Sequence, residues 1–350
     1  MEYCYLGRSG LQVSRIGLGA IPFGTWMDEQ ASRSAVDMFL DMGGNYIDTA
    51  NVYGRVKGAA GAGDSEHMVG KVLKGRRDRV VLATKGAWQM TETMRPNAFG
   101  LSRTYLATEI EASLRRLGTD YIDLYQCHVY DPYTPFEETV RVLDDFVRAG
   151  KIRYVGVSNW DGWHVVQANM HARQFGLTPI VSNQIWYALA DRVAEFSIIP
   201  ACRAQDVSII AWGVYAEGFL TGRYRRGATG PRPGSRFDVL KDSEMCSWKN
   251  LAVERNWATL DVMDRMAQEH GKTIPNVAMA WVLQSGHCDV TLLGASSMEQ
   301  FRVSMDVVGL RLSAEEMREL TAVSELAHPY PNCFWDLFCY HDSEFYGGVR

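Results

Sequence analysis

Eight short runs rich in β-branched and aromatic residues recur along this chain, each followed by a stretch in which apolar residues return with helical spacing. The runs fall at about Arg15 to Ala20, Tyr46 to Ala50, Arg79 to Lys85, Tyr121 to His128, Ile152 to Ser158, Ile180 to Trp186, Val207 to Val214 and Val290 to Ala295. A strand followed by a helix returns the chain to its starting edge, so successive strands pair in parallel through right-handed crossovers. Eight such units close into a (β/α)8 barrel, which leaves no edge strand to protect. The helices carry their own punctuation. Gly118, Gly150 and Gly309 stop the helical stretches Ser102 to Leu117, Pro135 to Ala149 and Ser297 to Val308, and Pro275 opens the one that runs through Leu283.

At 350 residues the chain could hold two average domains. The alternation runs unbroken into the C-terminal region, however, so one barrel domain over residues 1–350 is expected. An open doubly wound sheet is the competing architecture. Its nucleotide site would want Gly-x-Gly-x-x-Gly after the first strand, and here Gly17-Leu18-Gly19 lacks the third glycine. Residues 222–250, rich in Gly, Pro and Arg, make a connection too long for an ordinary loop and read as functional. Residues 326–350 form a C-terminal tail dense in aromatic side chains.

Charge narrows the partners. With 36 Lys plus Arg against 41 Asp plus Glu, the net charge of -5 offers no field to hold a nucleic acid. No apolar run reaches the ~18 residues that a membrane helix needs, and the start Met1-Glu2-Tyr3-Cys4-Tyr5 lacks the pattern of an export signal. The seven cysteines include no Cys-x-x-Cys, which argues against a disulfide framework or zinc ribbon. A reducing cytoplasm is expected; oligomeric state is left open.

Barrel enzymes place their chemistry at the C-terminal ends of the strands. Asp48 ends the second run, Tyr53 follows in its loop, Lys85 ends the third and His128 the fourth. Singly, each has a structural explanation as a cap, an ion pair or a satisfied core group. Together, at neighbouring strand ends ~5 Å apart, they can converge. A phenol with a pKa near ~10 is a poor proton donor unless its anion is stabilised. At ~4 Å and an effective dielectric of ~20, the Lys85 charge would supply about 4 kcal/mol of that stabilisation. Asp48 would hold Lys85 charged, and His128 would hydrogen-bond the substrate oxygen.

The blocks Asp48-Thr49-Ala50-Asn51-Val52-Tyr53-Gly54, Ala83-Thr84-Lys85 and Asp123-Leu124-Tyr125-Gln126-Cys127-His128 resemble the aldo-keto reductase superfamily. Gly156-Val157-Ser158-Asn159, Ser182-Asn183-Gln184 and the stretch from Gly218 to Tyr224 look like further blocks in family order, and the likeness runs from about Leu6 to about Leu320. The resemblance implies a barrel that binds NADPH, with NADH the lesser alternative, and moves a hydride between it and an aldehyde, ketone or alcohol. It implies Tyr53 as general acid and base within the set Asp48, Tyr53, Lys85 and His128. By the same resemblance Ser158, Asn159 and Gln184 hold the nicotinamide carboxamide and Trp212 lies against the ring. Gly213, Tyr215 and Gly218 would line the pyrophosphate side with Arg223 and Arg236. Gly294, Ser296 and Gln300 would meet the adenosine phosphate at a helix start.

The chain also departs from the pattern. Gly213-Val214-Tyr215 stands where related sequences usually carry Ser-Pro-Leu, and Val303-Ser304 where they carry Glu-Asn. Ala20 replaces a Thr, and Arg302 is the nearest cation for a 2′-phosphate. Pocket walls are expected from Phe23, Trp26, Trp88, Tyr130 and Trp160, which suit a ring-bearing or amphipathic carbonyl. Two other functions compete. The superfamily's potassium-channel β subunits bind the nucleotide mainly as regulatory partners, but they lack a His at the position of His128. A metal-dependent hydrolase barrel would want His-x-His, which is absent, and Lys85 would repel its cation, so no metal is expected.

Overall fold

The computed structural model describes residues 1–55, 61–239 and 247–337. Among them a closed barrel of eight parallel strands is built from β3 (Ile16–Gly19), β4 (Tyr46–Asp48), β5 (Val81–Gly86), β6 (Ile122–Cys127), β7 (Ile152–Ser158), β8 (Ile180–Trp186), β9 (Ser208–Trp212) and β10 (Val290–Leu293). All eight expected strands are present, and β10 closes the ring by pairing with both β9 and β3. Helices fill every crossover: α1 (Glu29–Asp41), α2 (Asp64–Leu73), α3 (Arg103–Leu117), α4 (Phe136–Arg148), α5 (Gly162–Gln174) and α6 (Ile198–Ala204). The longer connection from β9 to β10 contains α7 (Arg236–Val239), α8 (Trp248–Leu251), α9 (Glu254–Glu269) and α10 (Ile274–Gln284). After β10 come α11 (Met298–Met305), α12 (Ala314–Val323) and α13 (Asn332–Leu337).

The helix ends follow from local chemistry. Ser102 accepts from the Tyr105 N–H at the start of α3, and Gly118 closes it with φ 62°, a left-handed turn open to glycine. The last expected helix stops at Met305 rather than Val308, and Gly309 at φ 87° lies beyond a short turn.

One element has no counterpart in the alternation. The antiparallel hairpin of β1 (Tyr3–Tyr5) and β2 (Gln12–Ser14) precedes the barrel. Leu6 and Val13, both fully buried, pack with the inward side chains Tyr46, Ala83, Leu124, Ile210 and Val290. The hairpin thus plugs the N-terminal end of the barrel. The outward side chains form the larger core between strands and helices. No helix among the described residues is long and apolar enough to cross a membrane.

Candidate active site

Side chains alternate across a strand, so each barrel strand sends every second residue inward. On the strands that carry ionisable groups this parity places Tyr46 and Asp48, Ala83 and Lys85, and Leu124 and Gln126 toward the axis, with the polar member nearer the C-terminal end. The C-terminal rim opens into a cleft of about 970 Å3.

At its floor, the Lys85 ammonium uses its three hydrogens on three acceptors. Nζ pairs with Asp48 Oδ1, donates to the Thr49 carbonyl oxygen at 2.9 Å and donates to the Tyr53 hydroxyl oxygen at 3.1 Å. Both members of the ion pair are buried. Burial works against the Lys85 charge, but Asp48 and Tyr53 favour it, and the net effect raises its pKa above the ordinary lysine value. Asp48 Oδ2 accepts from Gln126 Nε2 and from Gln184 Nε2, each at 2.9 Å. His128 stands edge-on to Tyr53 with ring centroids 5.8 Å apart. Burial, and then the nearby Lys85 charge, hold its pKa well below the usual histidine value, so the imidazole is neutral near pH 7. Its Nδ1 is buried without a hydrogen-bond partner among the described residues.

The loop geometry explains how Tyr53 reaches this point. The chain turns at Tyr53, whose N–H donates to the Ala50 carbonyl oxygen at 3.2 Å, and Gly54 follows at φ 115°. A side chain on Gly54 would collide with the Gly61 carbonyl oxygen, so the residue after the tyrosine must be glycine.

Ser158, Asn159 and Gln184 line the cleft at the ends of β7 and β8. Asn159 sits at φ 58°, donates from Nδ2 to the His128 carbonyl oxygen at 3.1 Å and accepts from Trp212 Nε1 at 3.2 Å. Gly213, Tyr215, Gly218 and Arg223 line the neighbouring sector, and Gly294, Ser296 and Gln300 the sector at α11. There Gln300 Oε1 accepts from the Ser296 N–H and hydroxyl at 3.1 and 3.2 Å. The Arg236 side chain lies outside the described residues, as do residues 338–350 of the tail. Arg302 is not among the lining residues, whereas Arg232, which sequence reasoning passed over, is.

Of the expected pocket walls, Trp26 and Trp88 line the cleft, half-exposed at its mouth. Phe23 and Trp160 do not: each is buried in the core between barrel and helices. Tyr130 is also outside the cleft, stacked on His164 at 3.7 Å beside Phe136 and Trp160. A place just past a strand end fixes a residue's depth along the barrel but not the direction of its side chain once the chain has turned. Sequence reasoning also left Gln126 unassigned, although inward parity with His128 was the signal for it.

The cleft tests well for a dinucleotide. It offers amide and hydroxyl groups at β7 and β8, the cations Arg223 and Arg232 in the sector after β9, and the helix start at α11. His128 Nδ1 is buried there without a partner among the described residues, and a Cβ on Gly294 would meet open space.

The fold is a (β/α)8 barrel with its cleft at the C-terminal rim, where barrel enzymes place their chemistry. Residues 15–325 match the sequence profile described as "Aldo/keto reductase family". The chain belongs to that family and is an oxidoreductase; the family generally binds nicotinamide cofactors and acts on small carbonyl compounds. It is similar to the protein named "Uncharacterized oxidoreductase YrpG" of Bacillus subtilis (strain 168), with 36% identity over 92% of this chain and 96% of that one. It is also similar to the norsolorinic acid reductase of Aspergillus flavus, at 32% identity over 89% of this chain and 78% of the relative. A probable voltage-gated potassium channel subunit beta of Arabidopsis thaliana is 31% identical over 88% of this chain and 91% of its own length.

Proposed function

We propose that this protein, acting as one barrel domain, reduces an aldehyde or ketone with NADPH, or runs the reverse reaction, with Tyr53 as the proton donor. The observation that carries this reading is the Lys85 ammonium 3.1 Å from the Tyr53 hydroxyl oxygen, held there by the buried Asp48 carboxylate. The nicotinamide, when bound, supplies the hydride to the carbonyl carbon. Tyr53 gives its proton to the carbonyl oxygen as charge develops there. The phenolate left behind accepts from Lys85 Nζ, and a hydrogen bond to the charged form favours that form. Neutral His128 can donate to the same substrate oxygen without adding a charge that the site would have to desolvate. Ser158, Asn159 and Gln184 would orient the carboxamide, Trp212 the ring, and Arg223 with Arg236 the pyrophosphate; orientation supplies much of the acceleration in such transfers.

At α11 the cleft carries Glu299 and no Lys or Arg among the described residues, so the choice of NADPH over NADH rests on the family's usual preference. Parallel titrations of tryptophan fluorescence with the two cofactors decide it. Trp26 and Trp88 at the mouth suit a flat, ring-bearing carbonyl. We place the protein in the reducing cytoplasm, where Cys127, with its pKa pushed up to about 12 by burial, stays an inert thiol. The reading is tested by offering purified protein and NADPH a panel of aryl, sugar and polycyclic carbonyls. Tight cofactor binding with no turnover on any of them would favour a regulatory nucleotide-binding subunit, as the similarity to a channel subunit suggests.

A further inference from the structure

Gln126 is fully buried on β6, and both ends of its amide are engaged at the site. Nε2 donates to Asp48 Oδ2 at 2.9 Å, and Oε1 accepts from Gln184 Nε2 at 3.2 Å. Gly156, its partner across the β6–β7 pairing, makes room for it: a Cβ there would stand 3.0 Å from Gln126 Cγ and 2.6 Å from Ser182 Oγ. Leu124 and Ile210 belong to the apolar interior below. A buried amide in such surroundings is costly unless paired. Among the described residues its side-chain hydrogen bonds go to Asp48 and Gln184.

Resting on the function proposed above, we infer that Gln126 is a positioning residue that ties the cofactor-facing amide of Gln184 to the Asp48, Lys85 and Tyr53 set. The Gln184 side chain donates from Nε2 to Asp48 Oδ2 and to Gln126 Oε1. A ligand that takes one of those N–H groups removes a donor from the site interior. Gln126 then remains the close amide donor on Asp48 Oδ2, with the Tyr46 hydroxyl at 3.5 Å. The titratable groups facing Asp48 are Tyr46 on its own strand, Lys85 on β5, Tyr53 in the loop after β4 and, beyond Lys85, His128 at the end of β6. Without the Gln126 donor the Asp48 charge is less dispersed. It draws the Lys85 ammonium toward itself and disfavours negative charge on Tyr53, so the acid stays protonated to higher pH.

Two variants test the amide. Gln126→Met keeps the volume and loses both bonds. In Gln126→Glu the new carboxyl stands against Asp48 and stays protonated, because two adjacent buried carboxylates do not both ionise; its hydroxyl donates to Asp48 and its carbonyl oxygen accepts from Gln184, so both bonds are kept. The alkaline limb of the kcat profile for carbonyl reduction is expected to move up by about one pH unit in Gln126→Met, the scale of a lost hydrogen bond to a charged group, and to stay in place in Gln126→Glu. The Kd for NADPH, read from tryptophan fluorescence, is expected to rise several-fold in Gln126→Met only. A limb that stays in place in Gln126→Met, or an unchanged Kd there, overturns the link. Tyrosinate difference absorbance between each protein and its Tyr53→Phe counterpart, with NADP+ bound, follows the same ionisation without turnover. A shift there in Gln126→Met supports the link even when no carbonyl is reduced, an outcome that would sink the reductase reading alone; no shift in that variant overturns the link whatever the turnover. Thermal unfolding of each variant shows that the protein compared is folded.

Discussion

Tyr53 and Lys85 meet because two separate peptide segments each deliver one member, and their roles can be parted by single substitutions. Tyr53→Phe removes the proposed proton donor and keeps the ring, so NADPH affinity is expected to hold while turnover falls about 100-fold or more, the usual contribution of general acid catalysis. Turnover within a few-fold of the unaltered protein would show that another group is the acid. Lys85→Met does something different. It strands the Asp48 carboxylate in the barrel interior, faced among the described residues by the amides of Gln126 and Gln184 and the Tyr46 hydroxyl. Removing one partner of a buried ion pair costs about 3–5 kcal/mol. A drop of that size in stability from urea unfolding, together with a displaced pH optimum, is expected; a stable variant with the original pH profile would contradict the pairing described here.

Among the elements, the connection from β9 to α9 combines two tasks that its composition does not separate. Its aromatic residues anchor it: Tyr224 packs on Trp248 at 5.3 Å and on Phe237 at 5.8 Å, and Phe219 on Trp257 at 4.7 Å. Its arginines divide between support and site. Arg226 pairs with Glu254 and Asp261 on α9, whereas Arg223 and Arg232 line the cleft. Phe237, on α7 within this segment, is fully buried with its ring against Tyr224 and Trp248. Phe237→Ala is therefore expected to loosen the segment and raise the Kd for NADPH roughly tenfold or more, equivalent to about 1.4 kcal/mol, with little change in the unfolding of the barrel. Stopped-flow fluorescence would register the change as faster cofactor release. An unaltered release rate would mean that the segment does not hold the cofactor.

For the molecule as a whole, three histidines with lowered pKa values are expected to contribute to the loss of stability in acid. Burial lowers the pKa of His128, with Lys85 adding to it, and burial also leads the lowering at His164 and His287. In the unfolded chain each titrates near ~6.5. Below that pH the unfolded state binds protons that the folded state refuses, so stability is lost as the pH falls through ~6.5 and continues to fall toward the folded-state values. Above ~6.5 these groups contribute no slope. Thermal unfolding between pH 7.5 and 5 is expected to show this decline, and His128→Gln to make it shallower. An equal slope in the variant would assign the acid sensitivity to other groups.

The barrel was legible from the sequence because strand and helix are set by local periods, near two and near 3.6, that survive eight repetitions whatever packs against them. The convergence of Asp48, Lys85 and His128 was legible for a related reason, because strand parity and strand ends together assign face and depth; Tyr53, in the loop after β4, was legible only through the family block that carries it. Past the strand ends that logic stops. Phe23, Tyr130 and Trp160 turn into packing clusters because loop dihedrals and neighbouring helices aim them, and neither is written in the local pattern. The plug of β1 and β2 was invisible for want of an alternating partner, since its residues gain burial only from the closed barrel end. The sharing of Asp48 Oδ2 between Gln126 and Gln184, 58 positions apart in the chain, likewise exists only once closure of the ring brings β4, β6 and β8 to one axis. Period and spacing determined which residues face inward; three-dimensional closure decided which of them touch.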